Sequence, residues 1–305
     1  MKVGIVGAGF VGAAAGYAMV LRGVCRELVF VDQNKTKAIA EANDIQHATP
    51  VSNSVVVSAG DFADLKNAKI VVITAGVNQK PGESRIDLLQ RNNSIFRDIV
   101  PKIAESAPNA VLLVATNPVD ILTTITERIA GVPKGQVLGS GTTLDTARFR
   151  SLVGEEVGVD PQHVHGYVVG EHGDSEVVAW GSATVAGMPI PEYCAARGIV
   201  WTRENELRIS ENVRRAAYHI IAGKGATYFG IGAVLAGITK KIIRDQRAIL
   251  TVSATNQEYS TALSLPRLVG GKGILGEVGL TLNDDEKKAL AHSADVLNQA
   301  LTQLQ

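Results

Sequence analysis

The stretch "KVGIVGAGFVG" (2–12) decides the fold, because it joins an apolar strand to the start of a helix through three spaced glycines. Gly7, Gly9 and Gly12 follow the spacing G-x-G-x-x-G. In such a turn the first glycine permits a tight bend, the second lets the backbone approach a pyrophosphate, and the third lets helix and strand pack closely. The free N–H groups and positive dipole end of the helix then favour phosphate groups. The stretch therefore predicts a dinucleotide-binding turn.

A carboxylate at the end of the next strand strengthens this interpretation. Asp32 closes the apolar run "ELVFVD" (27–32), twenty residues after Gly12. A carboxylate at this distance accepts hydrogen bonds from ribose hydroxyls. It also repels a 2′-phosphate, so the sequence favours NAD over NADP. The alternative is that Asp32 only caps the following helix and that the glycines serve packing alone.

Apolar runs and helical patterns alternate over the first part of the chain. The runs are continuously apolar, which is typical of parallel strands covered on both faces. Strand and helix in alternation predict an α/β fold, a doubly wound parallel sheet of the Rossmann type. The predicted strands are 2–7, 27–32, 54–59, 69–76 and 110–116, with helices in "FVGAAAGYAMVLRG" and "KTKAIAEANDIQHA".

The pattern changes near residue 140 and predicts a second, α+β domain. A helix "TLDTARFRSLVGEEVG" leads to a strand "HVHGYVVGEHGD", and a long helical region covers about 203–244. A strand-rich segment at 248–268 and a polar helix from about Asn283 follow. We expect a dinucleotide-binding domain at 1–139 and a catalytic, substrate-binding domain at 140–305.

Composition excludes several classes of protein. The 305 residues carry 30 basic and 30 acidic side chains, so no basic surface for nucleic acid or for a membrane is predicted. The two cysteines have no CxxC spacing, which argues against a disulfide scaffold and against a zinc site; we predict no metal. The N-terminal apolar run is short and broken by glycines, so neither a membrane span nor a signal peptide is expected. The sequence predicts a cytoplasmic protein.

Three residues in the second part have the chemistry that hydride transfer from a 2-hydroxy acid requires. His172 lies between glycines in "GEHGDSE" and has the proton affinity of a general acid or base. Asp145 provides a carboxylate to orient an imidazole, and Arg148 provides a planar cation to clamp a substrate carboxylate. At about 100° per residue, Asp145 and Arg148 share one helix face. Taken singly, the histidine could be structural and the other two a surface ion pair.

The same geometry places two further residues elsewhere. Arg150 is about 200° around the helix from Arg148 and points away from it. His165 begins the strand that leads to His172, and seven extended residues span about 23 Å. If that strand is continuous, the two histidines cannot share a site.

Taken together, the motifs resemble the bacterial L-lactate dehydrogenases of the lactate/malate dehydrogenase family. The resemblance runs essentially end to end and rests on the order and spacing of six segments. These are "GAGFVG", "GESR", "ATNPVD", "GSGTTLDTARFR", "GEHGDSE" and "GKGATYFGIG".

The resemblance implies a role for each matching residue. His172 matches the proton donor and acceptor, Asp145 its partner, and Arg148 the carboxylate clamp. Arg85 matches an arginine on a closing loop that polarises the substrate carbonyl. The remaining matches are Asn117 beside nicotinamide and substrate, Thr227 in the substrate pocket, Ile231 against the nicotinamide, and Val11 with Gly7, Gly9, Gly12 and Asp32 in the cofactor site.

The loop "TAGVNQKPGESR" (74–85) carries the residue that selects the substrate in this family. Gln79 matches the position that faces the substituent on the reacting carbon, where family members that use malate have an arginine. A neutral glutamine leaves the second carboxylate of malate or oxaloacetate unpaired in a closed site, at a cost of several kcal/mol. Gln79 thus favours pyruvate and L-lactate. The alternatives are a malate or other 2-hydroxy acid dehydrogenase, and a catalytically silent NAD-binding protein.

The resemblance also implies an assembly and an effector. Arg150 and His165 match positions at which allosteric bacterial relatives bind fructose 1,6-bisphosphate across a two-fold interface. Symmetry would bring two arginines and two histidines together as an anion site. We therefore expect a homotetramer that serves glycolysis and fermentation and that responds to this effector.

Overall fold

The protein is organised around one long sheet, seen in a computed structural model that describes residues 1–77 and 85–304, with Arg85 described by its backbone alone. In this part of the chain the helices alternate with short strands up to residue 139. The strands are β1 (Lys2–Val6), β2 (Glu27–Val31), β3 (Val56–Ala59), β4 (Ala68–Ile73), β5 (Val111–Val114), β6 (Val137–Gly139), β7 (Val164–His165), β8 (Val168–Val169), β9 (Val177–Val178), β10 (Thr184–Val185), β11 (Met188–Pro189), β12 (Ala248–Asn256), β13 (Thr261–Gly270) and β14 (Gly273–Glu277).

Helices cover both faces of the sheet. They are α1 (Phe10–Leu21), α2 (Lys35–His47), α3 (Arg85–Ser106), α4 (Val119–Ile129), α5 (Thr143–Val157), α6 (Ile190–Arg197), α7 (Arg203–Lys224), α8 (Phe229–Ile243) and α9 (Asp284–Thr302). None of these described helices has the length and apolar character needed to cross a membrane.

The sheet order confirms the predicted fold class. Strands β1 to β6 pair in parallel in the order β6-β5-β4-β1-β2-β3, which is the doubly wound Rossmann arrangement. Alternate residues along each strand point to opposite faces. Ile5 and Val72 therefore join the core under α1, α2 and α8, whereas Val6 and Ile73 join the core under α3 and α4.

The second part of the chain extends this sheet. Strands β12, β13 and β14 are antiparallel to one another, and β12 pairs with β6 at Ser253 and Gly139. A third core forms between α5, α6 and α7 and the short strands, with Phe149 and Val153 at its centre. The apolar pattern predicted the strands near 248–268 but not that they extend the first sheet.

Two predicted elements are interrupted in the structure. The expected strand from His165 to His172 divides into β7, which pairs with β10, and β8, which pairs with β9 in a separate sheet. The helical region 203–244 divides into α7 and α8 at Gly225, whose φ of +81° ends α7 in a left-handed conformation. This break leaves Thr227 in a connecting loop.

Gly12 holds α1 against β1, so we expect a side chain there to be costly. A Cβ atom at Gly12 would lie 2.0 Å from the carbonyl oxygen of Gly7, which is backbone and has little room to move. Gly12→Ala should lower the unfolding temperature by several degrees, because overpacking typically costs about 1–3 kcal/mol. Gly9→Ala is the matched control, since a Cβ at Gly9 meets nothing within 4 Å. Equal unfolding temperatures for the two variants would contradict this account.

Candidate functional site

The glycine turn has the shape that a pyrophosphate requires. Gly7 has a φ of +109°, and a Cβ there would lie 2.4 Å from the backbone nitrogen of Ala75. Gly9 is the N-cap of α1 and faces open space, so ligand atoms can approach its backbone closely. The hydroxyl of Thr74 donates to the carbonyl oxygen of Gly7 at 2.7 Å and fixes the turn on the end of β4. The residues present therefore fit a dinucleotide.

Asp32 follows β2 at the same edge of the sheet and is tied to the turn. The backbone N–H of Ala8 donates to Oδ2 (2.7 Å), and that of Asn34 donates to Oδ1 (2.8 Å). Both oxygens retain lone pairs for further donors such as ribose hydroxyls. The carboxylate is half-buried, so it is fixed in place and still accessible.

Asp145 and Arg148 lie on one face of α5, as their spacing predicted, and they form an ion pair. Arg148 donates from one terminal nitrogen to Oδ1 of Asp145 at 2.8 Å, and both side chains extend from α5. The side chain of Asp145 is only 2% exposed. Its burial alone would raise the pKa of the carboxyl, but the charges of His172 and Arg148 outweigh burial and hold that pKa below its usual value.

His172 completes a chain of three polar side chains. Its Nδ1 lies 2.5 Å from Oδ2 of Asp145, so one carboxylate joins the imidazole and the guanidinium. Burial disfavours the imidazolium, yet the charge and hydrogen bond of Asp145 raise the pKa of His172 to about 9. The carboxylates of Asp120 and Glu176 contribute in the same direction. Near neutral pH the imidazole is therefore protonated and has a proton to give.

Two carboxyl groups near His172 were not singled out in the sequence. Asp120, in the first turn of α4, accepts the backbone N–H of His172 at 2.7 Å and the hydroxyl of Ser253 at 2.5 Å. Burial raises its pKa to about 6. Glu176 is also buried, and burial together with the charge of Asp145 raises its pKa to about 8. The motif "ATNPVD" contains Asp120, but its partners are remote in sequence.

Of the remaining cofactor and substrate candidates, Asn117 and Thr227 lie on loops, whereas Val11 and Ile231 lie in the first turns of α1 and α8. Asn117 is exposed after β5, and its carbonyl accepts the side-chain amide of buried Asn92 at 3.0 Å. The same Asn92 side chain accepts the N–H of Val77 at 2.9 Å, so it connects two loops. Gln79 lies outside the described residues.

The segment from Thr227 to Ile231 leads into α8, which packs against α1. Ile231 and Val11 are half-buried beside the same core. A Cβ at Gly232 would lie 2.9 Å from Ala14, so the glycine lets α8 pack tightly on α1. Thr227 precedes this contact in the loop, and its neighbour Tyr228 stacks on Phe10 at the start of α1, with ring centroids 5.3 Å apart.

Arg150 and His165 form a separate surface. Arg150 donates to the carbonyl oxygen of Gly166 at 3.3 Å and lies over the ring of Tyr167. His165 is exposed on β7, next to Gly166. The two residues are thus neighbours, and Arg150 leaves α5 away from the Asp145–Arg148 contact, as its spacing predicted.

Comparison with known proteins identifies the family. Residues 1–139 match the family model described as the NAD-binding domain of lactate/malate dehydrogenase, and residues 142–305 match its alpha/beta C-terminal domain. The chain belongs to the lactate/malate dehydrogenase family. It is an NAD-dependent oxidoreductase, and the family and cofactor predicted from the sequence are confirmed.

Relatives in this family match the whole chain. An L-lactate dehydrogenase of Chloroherpeton thalassium is 63% identical over 302 residues, which cover 99% of each chain. One of Deinococcus radiodurans is 54% identical over 304 residues, which cover 100% of this chain and 99% of the relative. The crystal structure of minor L-lactate dehydrogenase from Enterococcus mundtii is 40% identical, with a TM-score of 0.96, and covers 100% of this chain and 98% of the other.

Glu176 generates a prediction about stability and pH. Its pKa rises from 4.5 to about 8 in the folded protein, so between these values the folded state retains a proton that the unfolded state has lost. Stability contributed by this group is therefore present below about pH 4.5 and lost as pH rises through about 8. Glu176→Gln removes the ionisation and should stabilise the protein relative to the parent at pH 8.5 but not at pH 4.5.

The measurement is the difference in unfolding temperature between variant and parent at the two pH values. A gain on the order of a few kcal/mol at pH 8.5 is expected from about 1.4 kcal/mol per pKa unit. Glu155 is exposed, so Glu155→Gln is the matched control. Its difference in unfolding temperature from the parent should be the same at both pH values. A difference for Glu176→Gln that does not grow with pH would refute the assignment of a raised pKa.

Proposed function

We propose that the protein catalyses the reversible reduction of pyruvate to L-lactate with NADH. The observation that carries this proposal is the continuous contact of His172, Asp145 and Arg148. A 2-oxo acid needs a proton for its carbonyl oxygen and a cation for its carboxylate, and these side chains provide both. Relatives at 63% and 54% identity are named L-lactate dehydrogenases, which supports the same reaction here.

His172 is the proposed proton donor in reduction and acceptor in oxidation. Its raised pKa keeps the ring protonated near neutral pH, which suits donation to a developing alkoxide. Asp145 holds the ring through Nδ1, so Nε2 is the nitrogen directed at the substrate. Asp145 also stabilises the imidazolium by its charge.

Two arginines are proposed to bind the substrate. Arg148 clamps the carboxylate, because a guanidinium offers two parallel N–H donors. Arg85, the first residue of α3, is the proposed group that polarises the substrate carbonyl. Asn117 and Thr227 are the proposed further contacts with the substrate.

The cofactor site is proposed at the carboxyl edge of the parallel strands. Bound NADH supplies the hydride. Gly7, Gly9 and Val11 would lie against the pyrophosphate, and Gly12 would let α1 pack closely beside it. Asp32 would accept hydrogen bonds from the ribose hydroxyls, and Asn117 and Ile231 would contact the nicotinamide. We propose that residues 1–139 form the cofactor domain and residues 140–305 the catalytic domain.

Gln79 is the proposed determinant of substrate choice, and assays with two substrates test it. The protein should oxidise NADH with pyruvate far faster than with oxaloacetate, since a neutral glutamine leaves a second carboxylate unpaired. Gln79→Arg should shift kcat/KM toward oxaloacetate by orders of magnitude, because an arginine supplies the missing charge. Oxaloacetate turnover equal to that of pyruvate in the parent would favour a malate dehydrogenase and overturn the proposal.

Two variants control for loss of structure. His172→Asn should abolish turnover of both substrates while NADH still binds with nearly parental affinity, measured by fluorescence titration. Asp32→Ala should weaken NADH binding more than it changes kcat. A parent without turnover of any 2-oxo acid, despite tight NADH binding, would favour a silent NAD-binding protein.

We further propose a cytoplasmic homotetramer that acts in glycolysis and fermentation and is activated by fructose 1,6-bisphosphate. Supporting this, Arg150 is bonded to Gly166, which is next to exposed His165, and a two-fold axis would bring two such pairs together as an anion site. The effector should lower the KM for pyruvate near pH 7. Arg150→Gln should keep basal activity and lose the response, and identical saturation curves for the parent with and without effector would leave both residues without a regulatory role.

A further inference from the structure

His172 is anchored in two places by carboxylates from two different helices. Asp145 of α5 contacts the ring, whereas Asp120 of α4 accepts the backbone N–H at 2.7 Å. The second contact fixes the main chain from which the imidazole extends. Both carboxyl groups are almost fully buried, at 1% and 2% exposed for Asp145 and Asp120 respectively.

Asp120 is itself held from the opposite side. The hydroxyl of Ser253, on β12, donates to its Oδ1 at 2.5 Å, while Oδ2 faces His172. Thus each oxygen of the carboxylate has a defined donor. A buried carboxylate is costly to desolvate, and a hydrophobic side chain would pack there without that cost. The presence of the Asp120 carboxylate beside an imidazolium therefore needs an explanation other than packing.

We propose that Asp120 is a positioning residue for the proton transfer: with Ser253 it fixes the backbone of His172 and adds a second negative charge behind the imidazolium. The inference rests on the proposed function, since it assumes that His172 exchanges the proton with substrate. Asp120 acts through His172 and not on the substrate directly.

Several charged groups face His172, and the test must separate Asp120 from them. Asp145 and Arg148 face it from α5, and Asp120 faces it from α4. Glu171 and Glu176 belong to the segment of His172 itself, and Arg214 of α7 acts on Glu176. Only a substitution that leaves all of these unchanged isolates the charge of Asp120.

Asp120→Asn is that substitution. The amide oxygen can still accept the N–H of His172, and the amide nitrogen can donate to the hydroxyl of Ser253, so the anchor is kept and the charge is lost. The midpoint for deprotonation of His172 should fall by on the order of one unit. The loss of kcat/KM for pyruvate, relative to the parent, should grow with pH. It should reach about tenfold at pH values above the His172 midpoints of both parent and variant.

Ser253→Ala is the complementary variant, because it retains the charge and removes the hydroxyl that holds the carboxylate. Its kcat should fall several-fold, whereas its NADH affinity should equal that of the parent. The His172 midpoint should also be unchanged, because Asp120 is still ionised at the pH where His172 titrates. This single-hydroxyl deletion also keeps the inference testable should Asp120→Asn not fold. An unchanged kcat in Ser253→Ala would overturn the anchoring role.

The His172 midpoint is read without turnover, from the NMR titration of histidine ring carbons with His172→Asn to assign the signal. A parental midpoint in Asp120→Asn, or an activity loss equal at every pH, would refute the electrostatic role. These outcomes differ from failure of the proposed function, in which the parent itself would not reduce pyruvate.

Discussion

The organisation of the site depends on one desolvated carboxylate, that of Asp145. A buried anion is stable only when opposite charge and hydrogen bonds replace water. Arg148 and His172 supply both, one at each oxygen. The same contacts that stabilise the anion therefore hold the imidazole in its charged form. The geometry of the site and the raised pKa of His172 therefore have the same cause, the contacts of Asp145.

The position of Asp145 is fixed by buried hydroxyl groups at the start of α5. Thr142 donates its hydroxyl to the carbonyl of Val168 at 2.5 Å, and its N–H donates to the hydroxyl of Ser264 at 3.0 Å. Thr146 contacts the hydroxyl of Thr251 at 2.9 Å. Because these bonds join α5 to β8, β12 and β13, a shift of the helix would break several of them at once. The distance from Asp145 to His172 is thus a property of the fold.

Features that depend on the spacing of nearby residues were predictable from the sequence, whereas contacts between residues far apart in the chain were not. The glycine turn and the shared face of Asp145 and Arg148 follow from periodicity within a few residues. Asp120 was missed because its partners, His172 and Ser253, lie 52 and 133 residues away. The burial of Glu176 has no local signature in "GEHGDSE" either.

The predicted strand through His165 was wrong in its continuity for a related reason. An apolar run shows that a segment is extended, but pairing partners decide where the strand ends. Here β7 and β8 pair with different strands, and the chain between them changes sheet. That change separates exposed His165 from His172, and α5 is the element that contacts both regions, through Asp145 at His172 and through Arg150 at Gly166.

Ser253 shows why the site lies at the junction of the two parts of the chain. Ser253 of β12 pairs with Gly139 at the end of β6, and its hydroxyl donates a hydrogen bond to Asp120 at the start of α4. The carboxyl ends of parallel strands gather loops and helix N-termini at one edge. When antiparallel strands from the second part extend the same sheet, they bring their own side chains to that edge. His172, anchored from both parts, then keeps its position only while the two remain docked, and this links the stability of their interface to the geometry of the site.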